Sequence, residues 1–352
     1  MVILSIKQYN HTMKHKRLDL FVAIFFLTAF CNIVFAQSEI SKKTFTYSIK
    51  ENDTLKLDLY VDENADTANR PCLLYVFGGG FVAGRRNDKV SAPFFQKIVK
   101  MGFNVVSIDY RLGFRKAFGD PKDKATFSEN MKKYKPLQFL DIFYGSINMA
   151  VEDLFDATNY IVTHANDLRI NPQLIVPIGS SAGAVTVLQG ENNISNSTEL
   201  ALKHLPENFN YAGVISMAGA VFSMKGDVKW TAKTAPILMF HGDADKQVPY
   251  DKARIKVLLF PLKFGFYGSK HLSKQLEKNK SPYWFYSVEN AGHEMCYKPM
   301  YDDVNEILSF YKKYIVLHQQ LSTNTIVEDY TVPEKKKKFG FKDYVKGNFG
   351  GQ

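Results

Sequence analysis

At 352 residues the chain exceeds one small domain and suits a single large domain of about 250–300 residues. A hydrophobic fraction of 45 % with 23 % charged residues is that of an ordinary globular protein, which excludes a disordered or low-complexity chain. The formal charge is +10, and part of the excess lies near the C-terminus in Lys335–Lys338, Lys342 and Lys346. A basic run of this kind reads as a solvated tail, with a polyanionic surface or acidic glycan as the sharper alternative. No aromatic–basic motif of a nucleic-acid module accompanies it, so no nucleic-acid partner is expected.

Lys14, His15, Lys16 and Arg17 precede the apolar run Leu18–Phe30, and Val34-Phe35-Ala36 offers small residues at a cleavage site. This predicts a signal peptide over residues 1–36, with Met13 as an equally good start, and hence a secreted or periplasmic protein. The apolar core is shorter than the roughly 20 residues of a membrane span, so no stable span is expected after signal removal. Thr44–Ile49 and Leu55–Tyr60 alternate polar and apolar residues around Glu51-Asn52-Asp53, the pattern of an antiparallel hairpin at a sheet edge.

From there continuous apolar runs alternate with helix-sized segments. The runs are Leu73–Phe77, Asn104–Ile108, Leu174–Ile178, Tyr211–Met217, Pro236–Phe240 and Tyr283–Val288; the helical segments include Ala92–Met101, Met149–Ala165, Ser269–Lys278 and Val304–His318. A hairpin followed by repeated β-α units predicts an α/β fold, a mostly parallel central sheet with helices on both faces. Residues 113–147 interrupt the alternation as a long insertion after a strand's C-terminal end, where ligands bind in open α/β sheets. It carries Phe114, Phe118, Phe127, Tyr134, Phe139, Phe143 and Tyr144 among lysines, and is expected to form a lid or substrate-binding wall. Residues 319–352, with Gly340, Gly347, Gly350 and Gly351, are expected to lie outside the catalytic domain of residues 37–318. Cys72 opens one strand and Cys296 follows the loop beyond another, about 15 Å away, so both are expected as free thiols.

Gly179-Ser180-Ser181-Ala182-Gly183 follows the run Leu174–Ile178 and precedes Ala184, Val185, Val187 and Leu188, which can start a buried helix. This G-x-S-x-G turn presents Ser181 at a sharp strand-to-helix reversal, where flanking side chains would clash. Three further stretches lie around it in chain order. Phe77-Gly78-Gly79-Gly80-Phe81 closes a strand, and the N–H groups of Gly79 and Gly80, with that of Ala182, are candidates for an oxyanion hole. His241–Pro249 follows the strand Pro236–Phe240 and offers two carboxylates; Asp243 suits turn organisation, and Asp245, further out, is the favoured acid. Gly292-His293-Glu294 follows the last run and supplies an imidazole, whose ordinary pKa of about 6.5 suits proton transfer. Ser181, Asp245 and His293 are thus the candidate catalytic residues. No His/Cys/Asp cluster with ligand spacing points to a metal, and the chemistry calls for no cofactor.

From about Thr54 to His318 the chain resembles secreted α/β-hydrolase esterases of the carboxylesterase/hormone-sensitive-lipase-like group. It is especially similar to enzymes that deacylate plant polysaccharides, the acetylxylan and feruloyl esterase type. The residues that carry the resemblance are Gly78–Phe81, Asp109-Tyr110-Arg111-Leu112, Asn171-Pro172, Gly179–Gly183, His241–Pro249 and Gly292-His293. It implies a serine ester hydrolase acting through a Ser-His-Asp triad and an acyl-enzyme, on a small-molecule or glycan ester. One position departs from the family: many relatives carry His where this chain has Phe77, so the glycine loop must be held by apolar packing. A serine peptidase of the prolyl-oligopeptidase type, or a binding protein that keeps the fold without catalysis, are the alternatives.

Overall fold

The computed structural model describes residues 39–65, 69–254, 264–328 and 339. The described residues from Ile40 onward belong to one compact unit. The expected signal peptide (1–36) lies outside the described residues, as do the lysines near the C-terminus.

The hairpin is β1 (Ile40–Lys50) and β2 (Asp53–Asp62), antiparallel and longer than its alternating core predicts. Then come β3 (Arg70–Val76), α1 (Ala92–Lys100), β4 (Asn104–Ile108), α2 (Gly113–Phe118), α3 (Lys124–Lys132) and α4 (Pro136–Thr163). The second half runs β5 (Ile170–Ser180), α5 (Ala182–Ser195), α6 (Glu199–His204), β6 (Val214–Met217), β7 (Ala220–Ser223), β8 (Ile237–Gly242) and β9 (Lys252–Arg254). It closes with β10 (Gly265–Gly268), α7 (Ser269–Lys278), β11 (Tyr283–Val288), α8 (Val304–Phe310) and β12 (Ser322–Val327).

Among the described residues nine strands form one sheet in the order β1-β2-β4-β3-β5-β6-β8-β11-β12. β2 pairs antiparallel with β1 and β4, and every other pair in the sheet is parallel. β4 and β8 are buried at every residue, which is possible only where helices cover both faces of the sheet. The helices that do so carry the matching pattern. α1 turns Phe94, Phe95, Ile98 and Val99 inward, and α7 does the same with Leu272 and Leu276. α5 is buried on nearly all sides, as suits the helix that leaves the central strand β5.

Two expectations are corrected. The 113–147 insertion, expected as a lid or substrate-binding wall, holds α2, α3 and the first turns of α4, which runs on as one helix to Thr163. Phe114, Phe118, Phe127 and Phe143 are buried, so they form core and not a sugar-stacking wall. Phe114 and Phe118 stack at 5.4 Å, while Phe143 meets Phe222 of β7 and Phe266 of β10 at 5.0 and 5.1 Å. Phe114, Phe118 and Phe139 stack on one another, and Phe143 carries the contact with the small sheet β7-β10-β9, which the sequence pattern does not reveal.

The second correction concerns residues 319–352. Ser322–Val327 is β12, paired in parallel with β11 from Tyr283↔Ser322 to Val288↔Val327. The domain therefore continues past His318. Trp284 Nε1 donates to Thr325 Oγ1 at 2.9 Å, and Tyr314 shares a hydrogen bond with Thr323 at 2.6 Å. Cys72 and Cys296 are free thiols, as their separation along the sheet predicts.

Candidate active site

β5, β8 and β11 all end on the same edge of the parallel sheet, and the three candidate residues leave from those ends. Ser181 follows β5 with φ 51° and ψ −115°, a left-handed conformation that costs a non-glycine residue about 1–3 kcal/mol. The two flanking glycines are what permit it. A Cβ on Gly179 would lie 2.2 Å from Gly183 O, and one on Gly183 would lie 2.0 Å from Val76 O. The turn is pinned by Ser181 N–H donating to Met217 O at 3.0 Å, and α5 begins one residue later. The positive end of that helix dipole thus lies beside the serine.

β8 and β11 are neighbours, with His241 opposite Ser287 and Gly242 opposite Val288. The loops that follow them are stitched together. Asp243 N–H donates to Val288 O, Ala244 N–H to Ala291 O, and Asn290 N–H to Asp243 Oδ1 at 2.7 Å. Asp243 therefore organises the turn. Asp245 does something else: its Oδ2 accepts from His293 Nδ1 at 2.8 Å, and His293 Nε2 lies 2.7 Å from Ser181 Oγ. Ser181, His293 and Asp245 stand in one hydrogen-bonded row, although 112 residues separate the first two.

Asp245 is 1 % exposed. Burial alone would raise its pKa, but the His293 charge and hydrogen bonds from His241 and His293 outweigh that and hold the carboxyl well below the usual range. Its Oδ1 accepts from Gln247 N–H at 2.7 Å and Val248 N–H at 3.0 Å. An ionised carboxylate only accepts, so His293 carries its proton on Nδ1 and turns the lone pair of Nε2 toward Ser181. That is the tautomer a general base needs.

Gly79 and Gly80 line the same pocket as Ser181 and His293, a cleft of about 490 Å³. Val82 and Ala83 donate back to Gly79 O at 3.1 and 3.0 Å, curling the glycine loop, and a Cβ on Gly79 would lie 2.2 Å from Ala83 O. Among the described residues no intramolecular acceptor takes the N–H of Gly79, Gly80 or Ala182. The loop is held as Phe77 requires. Its ring stacks on Tyr110 at 4.3 Å, and the Tyr110 hydroxyl donates to Phe77 O at 2.9 Å. The Asp109–Leu112 stretch is thus a brace: Arg111 binds Asp153 of α4, with Nε 2.9 Å from Oδ1, and Phe114 N–H donates to Phe81 O at 3.1 Å.

Other groups in the pocket are Arg85, Asp88, Pro121 of the insertion, Cys296 and Tyr297. Burial pushes the Cys296 thiol up to about 12, with a hydrogen bond from Ser180 acting against it, so it stays protonated and does not compete as nucleophile. Tyr297 is 48 % exposed. Two residues that the sequence places only within matching stretches, with no role of their own, are joined to the site by the structure: Tyr110 under the glycine loop and His241 behind Asp245. For His241 the available signal is its place as the last side chain of a buried strand, directly before Gly242. Away from the pocket, Glu152, Asp156 and His204 bring potential metal ligands within 4.8 Å of one another. Lys50 Nζ already stands 2.6 Å from Asp156 Oδ2 and pairs with Glu152, and Arg111 also pairs with Glu152, so cations of the chain itself already engage both carboxylates.

Comparison with known proteins agrees with this architecture. Residues 57–123, from β2 through the glycine loop into the insertion, match the BD-FAE family model, an esterase-type hydrolase family. A 77-residue stretch, 21 % of the chain, is 38 % identical to each of two non-reducing polyketide synthases of Penicillium brasilianum. That stretch spans 3 % of the synthases' length. Among solved structures, Thermogutta terrifontis esterase 2 phosphoramylated by tabun matches with a TM-score of 0.52 at 17 % identity, covering 76 % of this chain and 94 % of that one. The propionate-bound form of the same esterase matches with a TM-score of 0.50 at 18 % identity, over 78 % and 94 %. Sheet order, strand-to-helix turn and these likenesses together make the chain an α/β-hydrolase-fold protein, with an esterase-type sequence across its first parallel strands and glycine loop.

Proposed function

We propose that this protein is a serine ester hydrolase in which Ser181 is the nucleophile, His293 the general base and acid, and Asp245 the residue that orients the imidazole. The observation that carries the reading is the continuous row of 2.7 and 2.8 Å contacts from a serine held in a left-handed turn. Ser181 Oγ attacks the ester carbonyl carbon while its proton passes to His293 Nε2. The resulting oxyanion is received by the N–H groups of Gly79, Gly80 and Ala182, each worth about 3–4 kcal/mol to the transition state. The C–O bond then breaks, and the alcohol leaves with the proton from His293. Water attacks the acyl-enzyme, giving its proton to His293 and thence to Ser181 Oγ, and the acid is released.

The substrate class is an acyl ester of a carbohydrate, and the protein is exported with cleavage after Ala36. Support for the glycan comes from the resemblance to polysaccharide deacylases and from the pocket rim, where Tyr297 offers an exposed ring and Arg85 a guanidinium. The propionate in the Thermogutta esterase makes short acyl chains the first to try.

The purified chain and Ser181→Ala are to be compared on p-nitrophenyl acetate, butyrate and octanoate, then on acetylated xylan and feruloylated arabinoxylan. Short-chain release that vanishes in Ser181→Ala, with acetate or ferulate freed from the polymer, is the expected result. No Ser181-dependent release from any ester would instead favour a binding protein, and cleavage of a prolyl nitroanilide alone a peptidase. The mass of the exported chain reads the cleavage site in the same preparation.

A further inference from the structure

We propose that His241 is a positioning residue, clamping Asp245 from the side opposite His293; the inference rests on the reading of the site as a serine hydrolase. His241 is the last side chain of β8 before Gly242 and is fully buried. A core imidazole is costly unless both nitrogens are bonded. Here they are. Nδ1 lies 2.8 Å from Ser269 Oγ at the start of α7, and Nε2 lies 3.2 Å from Val248 O and 3.4 Å from Asp245 Oδ2.

A carbonyl oxygen can only accept, so Nε2 carries the hydrogen and donates it to the Val248 carbonyl, while the Asp245 carboxylate lies 3.4 Å from the same nitrogen. Asp245 Oδ2 is therefore flanked by two imidazoles, His293 at 2.8 Å and His241 at 3.4 Å. Its Oδ1 is taken by the N–H groups of Gln247 and Val248. His241 thus grips the acid loop at both ends of the Asp245–Val248 turn. Its own ring is fixed by Ser269, whose hydroxyl also lies 3.4 Å from Gly219 O, and by Tyr250 standing edge-on at 5.6 Å. His241 does not line the pocket and reaches no substrate. It acts through the carboxylate, keeping Oδ2 ionised and aimed at His293 Nδ1.

The test uses the full chain with His241→Leu, which removes both ring nitrogens, and His241→Gln, whose side-chain amide can still donate where Nε2 does. We expect H241L to lose about 10–100-fold in kcat with KM within twofold, the size of one hydrogen bond to a charged group. H241Q should stay within about threefold of the parent. The far-downfield proton resonance of the His293–Asp245 hydrogen bond should move in H241L and hold in H241Q. Undiminished kcat in H241L, or equal losses in both variants, overturns the assignment. Should H241L fail to fold, Ser269→Ala decides: a fall in kcat at unchanged KM supports the clamp and an unchanged kcat refutes it. A parent chain no more active than Ser181→Ala is the separate failure of the hydrolase reading, and the resonance still tests the clamp in that case.

Discussion

Two aspartates two positions apart in one loop do different work because of which way each carboxylate faces. Asp243 accepts from Asn290 N–H and ties the acid loop to the histidine loop, while Asp245 points inward to His293. Asp245→Asn keeps the volume but replaces an acceptor-only group with one that can present N–H to His293 Nδ1, which disfavours the needed tautomer. A kcat loss of about 10⁴-fold with little change in KM is expected. Asp243→Asn retains an acceptor for Asn290 and should cost less than about tenfold, with the deficit divided between stability and rate. Steady-state kinetics of the pair decides the matter, and equal effects would reject the assignment of Asp245.

At the scale of elements, the site depends on how the glycine loop is backed. Phe77 is 4 % exposed, its ring against Tyr110 on one side and against the Gly84 backbone, where an added Cβ would come within 2.4 Å of Phe77 Cδ2. Aromatic stacking holds the loop here, and stacking tolerates no missing ring. Phe77→Ala should lower stability by about 3–5 kcal/mol through the cavity left under the loop. With the donors of Gly79 and Gly80 loosened, kcat should fall toward the 10²–10³-fold cost of losing one oxyanion donor. Phe77→Leu, which refills part of the space, should recover much of both; thermal melts and kinetics on one ester measure them together. The insertion is an element of the same kind. Its phenylalanines pack on one another and, through Phe143, against β7 and β10, and it reaches the pocket through Pro121.

For the molecule as a whole, the sheet does not stop at β11. β12 covers that edge with six paired residues and hydrogen bonds to Trp284, Tyr314 and Tyr283. A chain ending at His318 would leave β11 as a bare edge with half-exposed Trp284 and Tyr286 beside it, the arrangement that invites pairing between molecules. It should melt several degrees lower and scatter light on standing. A chain ending at Glu328 keeps β12 and loses Phe339, which packs partly buried against the core, so it should recover most but not all of both. If both truncations behave alike, the strand contributes nothing to the fold. Among the described residues no helix is long and apolar enough to cross a membrane.

What the sequence by itself determined are the features that depend on neighbouring residues. Gly179 and Gly183 around Ser181 announce a turn that only glycine flanks allow, and uninterrupted apolar runs announce strands covered on both faces. The chain order of glycine loop, serine, acid and histidine is likewise written in one dimension. Only the tertiary structure decided what those features meet. That Asp245 and not Asp243 faces His293, and that His241 stands behind it, follows from how two loops after adjacent strands are stitched together. The aromatic insertion reads as a binding wall until its rings are seen to pack on one another and, through Phe143, on β7 and β10. Ser322–Val327, alternately exposed and half-buried, reads as a polar tail until β11 is seen beside it. Local sterics and periodicity act within a few residues, whereas burial and hydrogen-bond partners are supplied from more than 40 residues away.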